Sequence, residues 1–503
     1  MSESFILELG LKTSPEQEKM LLVRLDCARQ LYNACLGEAL RRLKLMKESK
    51  WYQATVKLPK GKDRTREFKA LNSWFGLREY DLHSYACICK NSCHIGNHLD
   101  THTCQKVGTR AFNAVQEHMF GKRGKPRFKG KNQFDSVEGK NNSTGIKWRE
   151  EKVLWSGLEL KAKLDSKDKH GIQSHALKHK IKYVRIVRRR IKGKNRFFAQ
   201  LVLKGKPKQK YESGQEKIGL DLGPSTIACA GETDAFLERF CSELEPIHKE
   251  IRRIQRRLDR SRRAMNPENY NKDGTVKKGA KTWKFSGRYI ADRERLSEMN
   301  RKLAATRKRL HGEMVNRILS LGVNINTEDV SYRAWQKIFG RSIGFRGPGM
   351  FIEELRRKAE NAGGGVNEIS VSNQLSQICH NCGSIKKKSL STRWHTCDCG
   401  IIAQRDLYSA FLAQNVSGDS LDTCRAKETW PGAEPLLRRA VLRSKQSANV
   451  QPLYQGLDSF GIRRQSGSHA EGGSAHVETP DGVPIHREGR GEICDTAART
   501  PRL

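Results

Sequence analysis

The chain has 503 residues and carries 95 Lys and Arg against 55 Asp and Glu, a formal net charge of +40, with 36% hydrophobic residues. That length allows about two to four domains with a sizeable core, and a charge excess this large calls for a polyanionic partner rather than a merely soluble basic surface. The absence of an apolar run of about 18 residues argues against a membrane span. Fourteen cysteines without an export pattern imply metal ligands and buried thiols in a reducing compartment, and the expectation is a cytoplasmic protein.

Residues 1–12 read as one strand. Ser14, Pro15 and Gln17 then supply the N-cap, N1 and N3 signals of a helix start. Leu21, Leu25, Ala28, Leu31, Cys35, Leu36, Ala39 and Leu43 follow at helical spacing. More helix is expected in 68–119, so 13–120 reads as a helical insertion. Within it, Cys87, Cys89, Cys93, His94, His98, His102 and Cys104 lack two tidy knuckles and read as core thiols and surface histidines.

Residues 121–130 form a basic turn, in which Lys122, Arg123, Lys125, Arg127 and Lys129 surround Phe128. They are candidate contacts to a nucleic-acid backbone. From 131 to 204 the pattern becomes β-like, clearest at 183–187 and 196–203, with Gly193-Lys194-Asn195 as the turn. Segments 1–12 and 121–213 together predict a small basic β-barrel.

The stretch Ile218-Gly219-Leu220-Asp221-Leu222-Gly223 reads as a buried strand breaking into a turn. Asp221 should point away from Leu220 and Leu222. A buried carboxylate needs a partner, and a metal ion is the usual one. After it, 243–320 predicts a basic helical hairpin with a flexible, Gly-, Asn- and Lys-rich loop over 265–288. Apolar residues at 318–325 lead to Glu328. A helix at 350–359 and a strand at 366–371 complete a strand–helix alternation that argues α/β. Residues 214–375 are expected to form this domain.

Cys379-His380-Asn381-Cys382 and Cys397-Asp398-Cys399 form two pairs separated by 14 residues. Four thiolates satisfy tetrahedral Zn²⁺ and leave no open position, so the expectation for 376–400 is a structural zinc ribbon on Cys379, Cys382, Cys397 and Cys399. His380 and His395 are the alternative ligands. Asp406 follows within 401–415. Asp221, Glu328 and Asp406 together suit two Mg²⁺ or Mn²⁺ ions acting on a scissile phosphate. A sugar-kinase phosphate loop is the rival reading of 218–226. It lacks later Gly-rich motifs beyond Gly363-Gly364-Gly365. Beyond 416 the periodicity fades, and the C-terminal extension 416–503, above all 464–503, is expected to be largely disordered.

The order of these motifs resembles the TnpB proteins of insertion sequences and the related compact type V CRISPR effectors. The resemblance rests on Gly219-Leu220-Asp221-Leu222-Gly223, Asn326-Thr327-Glu328-Asp329-Val330, the cysteine pairs, Gln404-Arg405-Asp406-Leu407-Tyr408-Ser409-Ala410 and Gly124-Lys125-Pro126-Arg127-Phe128-Lys129. It implies a multidomain α/β protein: an RNase H-like (RuvC) nuclease domain with a zinc ribbon, a β-barrel wedge domain and a helical recognition lobe. It further implies an RNA-guided DNA endonuclease that cuts beside a short adjacent motif, with a guide RNA and double-stranded target DNA as partners. The complex would hold a monomer or a homodimer on one RNA. Asp221, Glu328 and Asp406 would be the catalytic Mg²⁺ ligands. Gln404 and Tyr408 depart from the Asp and Asn more usual in the third motif. A CRISPR effector and a guided repressor without cleavage are the alternative functions, and an unguided resolvase or transposase is a third.

Overall fold

The computed structural model describes residues 3–210, 212–389 and 391–446, and the chain divides into two compact units after residue 210.

The first unit opens with β1 (Ser4–Leu11) and α1 (Pro15–Glu48). The helix starts as the sequence indicates: the Ser14 hydroxyl accepts the Gln17 N–H and the Gln17 side chain accepts the Ser14 N–H. Helices α2 (Lys50–Lys57), α3 (Lys62–Trp74), α4 (Glu79–Asn91) and α5 (Thr101–Met119) follow. Strands β2 (Ser136–Glu138), β3 (Lys147–Arg149), β4 (Lys152–Trp155) and β5 (Leu158–Lys163), helix α6 (Ile172–Leu177), and strands β6 (Ile181–Ile191) and β7 (Lys194–Lys204) complete the unit. The buried stripe of α1 shares one core with the strands. Buried Arg24 ties helix to sheet by donating to the Trp155 and Ser156 carbonyls.

The strands form one antiparallel sheet in the order β2-β6-β7-β1-β5-β4-β3. It ends at β2 and β3, with no ladder between them among the described strands, but β3 approaches β6, the neighbour of β2, so the two ends of the sheet curl toward each other. Both edge strands are three residues long. In the loop between them, Asn141 accepts the Ser143 and Thr144 N–H groups, and Asn142 accepts that of Trp148. Side-chain carbonyls thus take donors that a ladder would use. The β6–β7 turn is Lys192-Gly193, one residue earlier than expected, because both residues adopt positive φ (48° and 75°) as a two-residue hairpin requires.

The second unit is built on β8 (Lys217–Leu222), β9 (Thr226–Ala230), β10 (Ala235–Arg239), β11 (Asn324–Glu328) and β12 (Gly365–Ile369). Their order is β10-β9-β8-β11-β12; β8, β9 and β10 are antiparallel neighbours, and β11 runs parallel to both β8 and β12. The connections carry α7 (Leu244–Met265), α8 (Gly287–Leu321), α9 (Tyr332–Arg346) and α10 (Pro348–Asn361). A small hairpin, β13 (Trp394–Thr396) with β14 (Ile402–Gln404), precedes α11 (Arg405–Gln414). The short pair β15 (Val416–Ser417) and β16 (Ser420–Leu421) leads into α12 (Thr423–Gln446).

Alternation along β8 separates two cores. Ile218, Leu220 and Leu222 pack with Val315, Ile318, Phe351 and Leu355 from α8 and α10. On the opposite face Ala228, Ala230 and Ala235 pack with Leu407, Ala410 and Phe411 of α11 and Trp430 and Ala440 of α12. Small side chains on that face let α11 lie close to the sheet.

Two expectations are corrected. Residues 423–446 are helical rather than disordered; Pro431 and Pro435 weaken the helical signal, but burial of Ala426, Trp430, Leu437 and Ala440 decides it. The loop over 265–288 is folded, as detailed below. The stretch 464–503 lies outside the described residues.

Candidate functional site

Three strand and helix ends converge on the α11 face of the second sheet. Gly219 faces α11, and Asp221, two residues on, shares that face while Leu220 and Leu222 take the other. On β11, Asn326 donates to the Ala413 and Val416 carbonyls at 2.9 and 3.2 Å, so it too faces α11, as does Glu328 two residues later. Thr327 pairs with Leu220 in parallel register. One step further, Asp221 and Glu328 stand side by side. Asp406 is the second residue of α11, whose first turn is capped by the Gln404 side chain accepting the Leu407 N–H at 2.7 Å. A carboxylate there is favoured by the helix dipole.

The electrostatics follow from this crowding. Burial, then the negative charges of Asp406 and Glu328, push the Asp221 carboxyl well above the usual carboxylate range, against the opposing effect of Arg405. Burial also raises Glu328. The Arg405 guanidinium lies 3.2 Å from Asp406 and donates to the Ser389 carbonyl. Three crowded carboxylates facing one guanidinium are short of positive charge. Their donors are hard oxygens, the kind that Mg²⁺ or Mn²⁺ accepts. In donor chemistry the residues fit divalent ions, although among the described residues their oxygens do not all gather within 4.8 Å of one another.

Among the described residues, one group of candidate ligands has all its donor atoms within 4.8 Å: Cys379, Cys382, Cys397 and Cys399. The Cys379–Cys399 and Cys382–Cys397 sulfurs are 3.5 and 3.4 Å apart. Sulfurs around a tetrahedral zinc at about 2.3 Å would be about 3.8 Å apart, so the four thiols fit that ion. Both tight turns need glycine, with φ of 72° at Gly383 and 94° at Gly400. The Gly400 turn accommodates the shortened second pair. The Ile401 backbone N–H draws the Cys399 thiol down to about 6, which favours a thiolate there before metal arrives. The two histidines weighed as substitutes are engaged elsewhere: His380 Nδ1 lies 2.7 Å from the Tyr408 hydroxyl, and His395 Nδ1 2.7 Å from Lys388 Nζ. The upstream cysteine–histidine cluster forms no such group among the described residues.

Tyr408 carries a role the sequence did not reveal. Its buried hydroxyl also accepts the His380 backbone N–H at 3.0 Å, and its ring packs 4.3 Å from that of His395. The thiol-bearing segment is thereby fastened to α11 two residues from Asp406. Gln404, Asn326 and Gly219 stand within the quoted motifs, but their roles as helix cap, tie to the Ala413 carbonyl and point of close approach emerge only from the structure.

The basic turn belongs to the first unit. The Lys129 N–H and C=O are held by the Asn33 side chain at 2.8 and 2.9 Å, and Arg123 pairs with Glu117. Lys122, Lys125, Arg127 and Lys129 are exposed. No helix among the described residues is long and apolar enough to cross a membrane.

Residues 349–412 match the family model described as Cas12f1-like, TNB domain. The match supports the family of TnpB proteins and compact type V effectors. It spans the four cysteines and Asp406 and stops short of Asp221 and Glu328. Among solved structures, the chain is similar to one titled "Cryo-EM structure of the Cas12f1-sgRNA-target DNA complex", at 14% identity and a TM-score of 0.41, covering 82% of this chain and 99% of that one. A second, titled "Cryo-EM structure of CRISPR-Cas12f Ternary Complex", is 12% identical with a TM-score of 0.25 and the same coverage. Overlays this loose fix no residue role. No curated protein matches.

Proposed function

We propose that this chain is a compact RNA-guided DNA endonuclease that hydrolyses phosphodiester bonds at Asp221, Glu328 and Asp406. The observation that carries the reading is the convergence of these carboxylates, 185 residues apart in sequence at the extremes, on one face of the sheet. Three antiparallel strands followed by two parallel ones is also the arrangement of RNase H-like nucleases, and the family match over 349–412 supports a nuclease.

Divalent ions, when bound, would supply an activated water and neutralise charge on the leaving oxygen. The protein's own contribution is positional. Asp221 and Glu328 are fixed by the strand register, and Asp406 by the capped turn of α11. Arg405 stands beside Asp406 and offsets part of the carboxylates' negative charge. Tyr408 and His380 hold the thiol-bearing segment against α11, where the four cysteines would carry a structural zinc. A net charge of +40 suits simultaneous contact with guide RNA and target DNA, and the exposed cations of residues 122–129 would contribute to it.

The test is expression of the chain with the DNA that flanks its gene, sequencing of the RNA that copurifies, and incubation with matching DNA and Mg²⁺. Cleavage by the parent chain, lost in Asp221→Ala with RNA and DNA binding retained, is the expected result. RNA from the edge of a mobile element would indicate an insertion-sequence protein, and repeat–spacer RNA a CRISPR effector. Undiminished cutting by Asp221→Ala would overturn the site. Guided binding without cleavage by the parent chain would leave a repressor.

A further inference from the structure

The far end of the α7–α8 hairpin is a folded knob. Asn266 is fully buried; its Nδ2 donates to the Arg262 and Lys284 carbonyls at 2.9 Å each, and its Oδ1 accepts the Lys284 N–H at 2.6 Å. Asn269 donates to the Thr282 carbonyl at 2.8 Å. Tyr270 bridges to Val276, and the Lys277 N–H returns to the Asn269 carbonyl. Inside, the Tyr270 and Trp283 rings meet edge to face, with Arg263 over the first and Arg262 over the second. A solvated charge run needs no such clamp. Here two asparagines fix the loop while its cations point outward.

Residues 260–288 carry nine Lys and Arg against Glu268 and Asp273. Lys272, Lys277, Lys278 and Lys284 are exposed, and no acidic side chain pairs with them among the described residues. Next to Lys284 in the chain, Phe285, 39% exposed, stacks on Tyr289 at 4.6 Å and 13°. Cations flanking an open ring are what an unpaired base and its neighbouring phosphates require. A continuous duplex keeps its bases stacked and offers the ring nothing. The 22 residues of α7 are about 33 Å long, and the knob lies at the end of this helix opposite Leu244, which packs in the core with β8.

We propose that the knob over 266–286 is an RNA-binding surface. It takes an unpaired base of a structured RNA on Phe285 and adjacent phosphates on Lys272, Lys277 and Lys278. The site rests on the guided-nuclease reading only for the identity of that RNA.

The experiment uses the full chain and two variants, Phe285→Ala and the triple Lys272→Glu, Lys277→Glu, Lys278→Glu. The probes are an RNA hairpin with a single-stranded loop, the DNA hairpin of the same sequence, fully paired DNA, and the copurifying RNA. Phe285→Ala should weaken binding of the RNA hairpin about five- to hundredfold and leave paired DNA unchanged. The triple variant should lower the slope of log affinity against log salt by about 2 to 3. Unchanged melting of both variants shows that the knob alone was altered. Unaltered RNA affinity in Phe285→Ala, or a loss confined to either DNA probe, would overturn the proposal. Failure of any RNA to copurify would sink the guided reading alone, because the hairpin still tests the knob.

Discussion

Gly219 on β8 lies directly beneath Ala410 on α11. A Cβ added to Gly219 would come within 1.8 Å of the Ala410 carbonyl oxygen and 2.5 Å of the Gln414 nitrogen. Backbone meets backbone, so no side-chain rotation relieves the contact. The spacing between β8 and α11, and with it the placement of Asp406 relative to Asp221, depends on a missing methyl group.

Gly219→Ala should therefore separate α11 from the sheet. The expected loss is about 3 kcal/mol, the upper end of the usual cost of overpacking, measured by urea unfolding, together with weaker Mg²⁺ affinity. A variant of parental stability would show that α11 is not seated as described.

Asp221→Asn tests the electrostatics independently of cleavage. Because burial and two neighbouring carboxylates raise the folded-state pKa of Asp221, the folded protein binds a proton that the unfolded chain releases. In chelator, the parent chain's stability should then fall as pH rises from about 4, the unfolded value, through the raised folded value. Each unit of that shift is worth about 1.4 kcal/mol. Asp221→Asn should melt higher than the parent in chelator at neutral pH, and Mg²⁺ should narrow the gap. A lower melting point in chelator would mean that the carboxylate is already neutralised by Arg405.

Cys382→Ser removes one of four closely grouped sulfurs. Zinc content should drop from about one equivalent, and the melting temperature with it, because structural zinc contributes directly to folding. The hydrogen bonds from His380 to Tyr408 should loosen, exposing the α11 amides to exchange. Full zinc content in the variant would indicate that another residue completes the site.

His311 gives the second unit an acid-sensitive step. It is 2% exposed, and its Nε2 lies 2.8 Å from the Arg346 carbonyl. Burial holds its pKa down to about 4, although that carbonyl pulls the other way. In the unfolded chain it titrates near 6.5. Between about 6.5 and 4 the unfolded state binds the extra proton, so stability falls as pH drops through that window, by about 3 kcal/mol at most. His311→Gln should flatten the profile there. An unchanged profile would assign the acid sensitivity to other groups.

Much of the second unit was legible in sequence because its signals are local. Alternation fixed Asp221 opposite Leu220 and Leu222, the position of Glu328 followed from the apolar run before it, and cysteine spacing foretold the cluster of sulfurs. Capping residues Ser14, Pro15 and Gln17 marked the start of α1 to the residue. Each is a property of a few neighbouring positions.

What only the tertiary structure decided depends on residues far apart in the chain. The helix at 423–446 exists despite two prolines because Trp430 and Ala440 are buried against the sheet. The loop after α7 folds because Asn266 finds backbone partners on both sides of it. The sequence singled out carboxylates and thiols by type and spacing; packing of α11 against Gly219 and Asn326 decided how closely α11 meets the sheet, because close approach is a property of two backbones and not of either one.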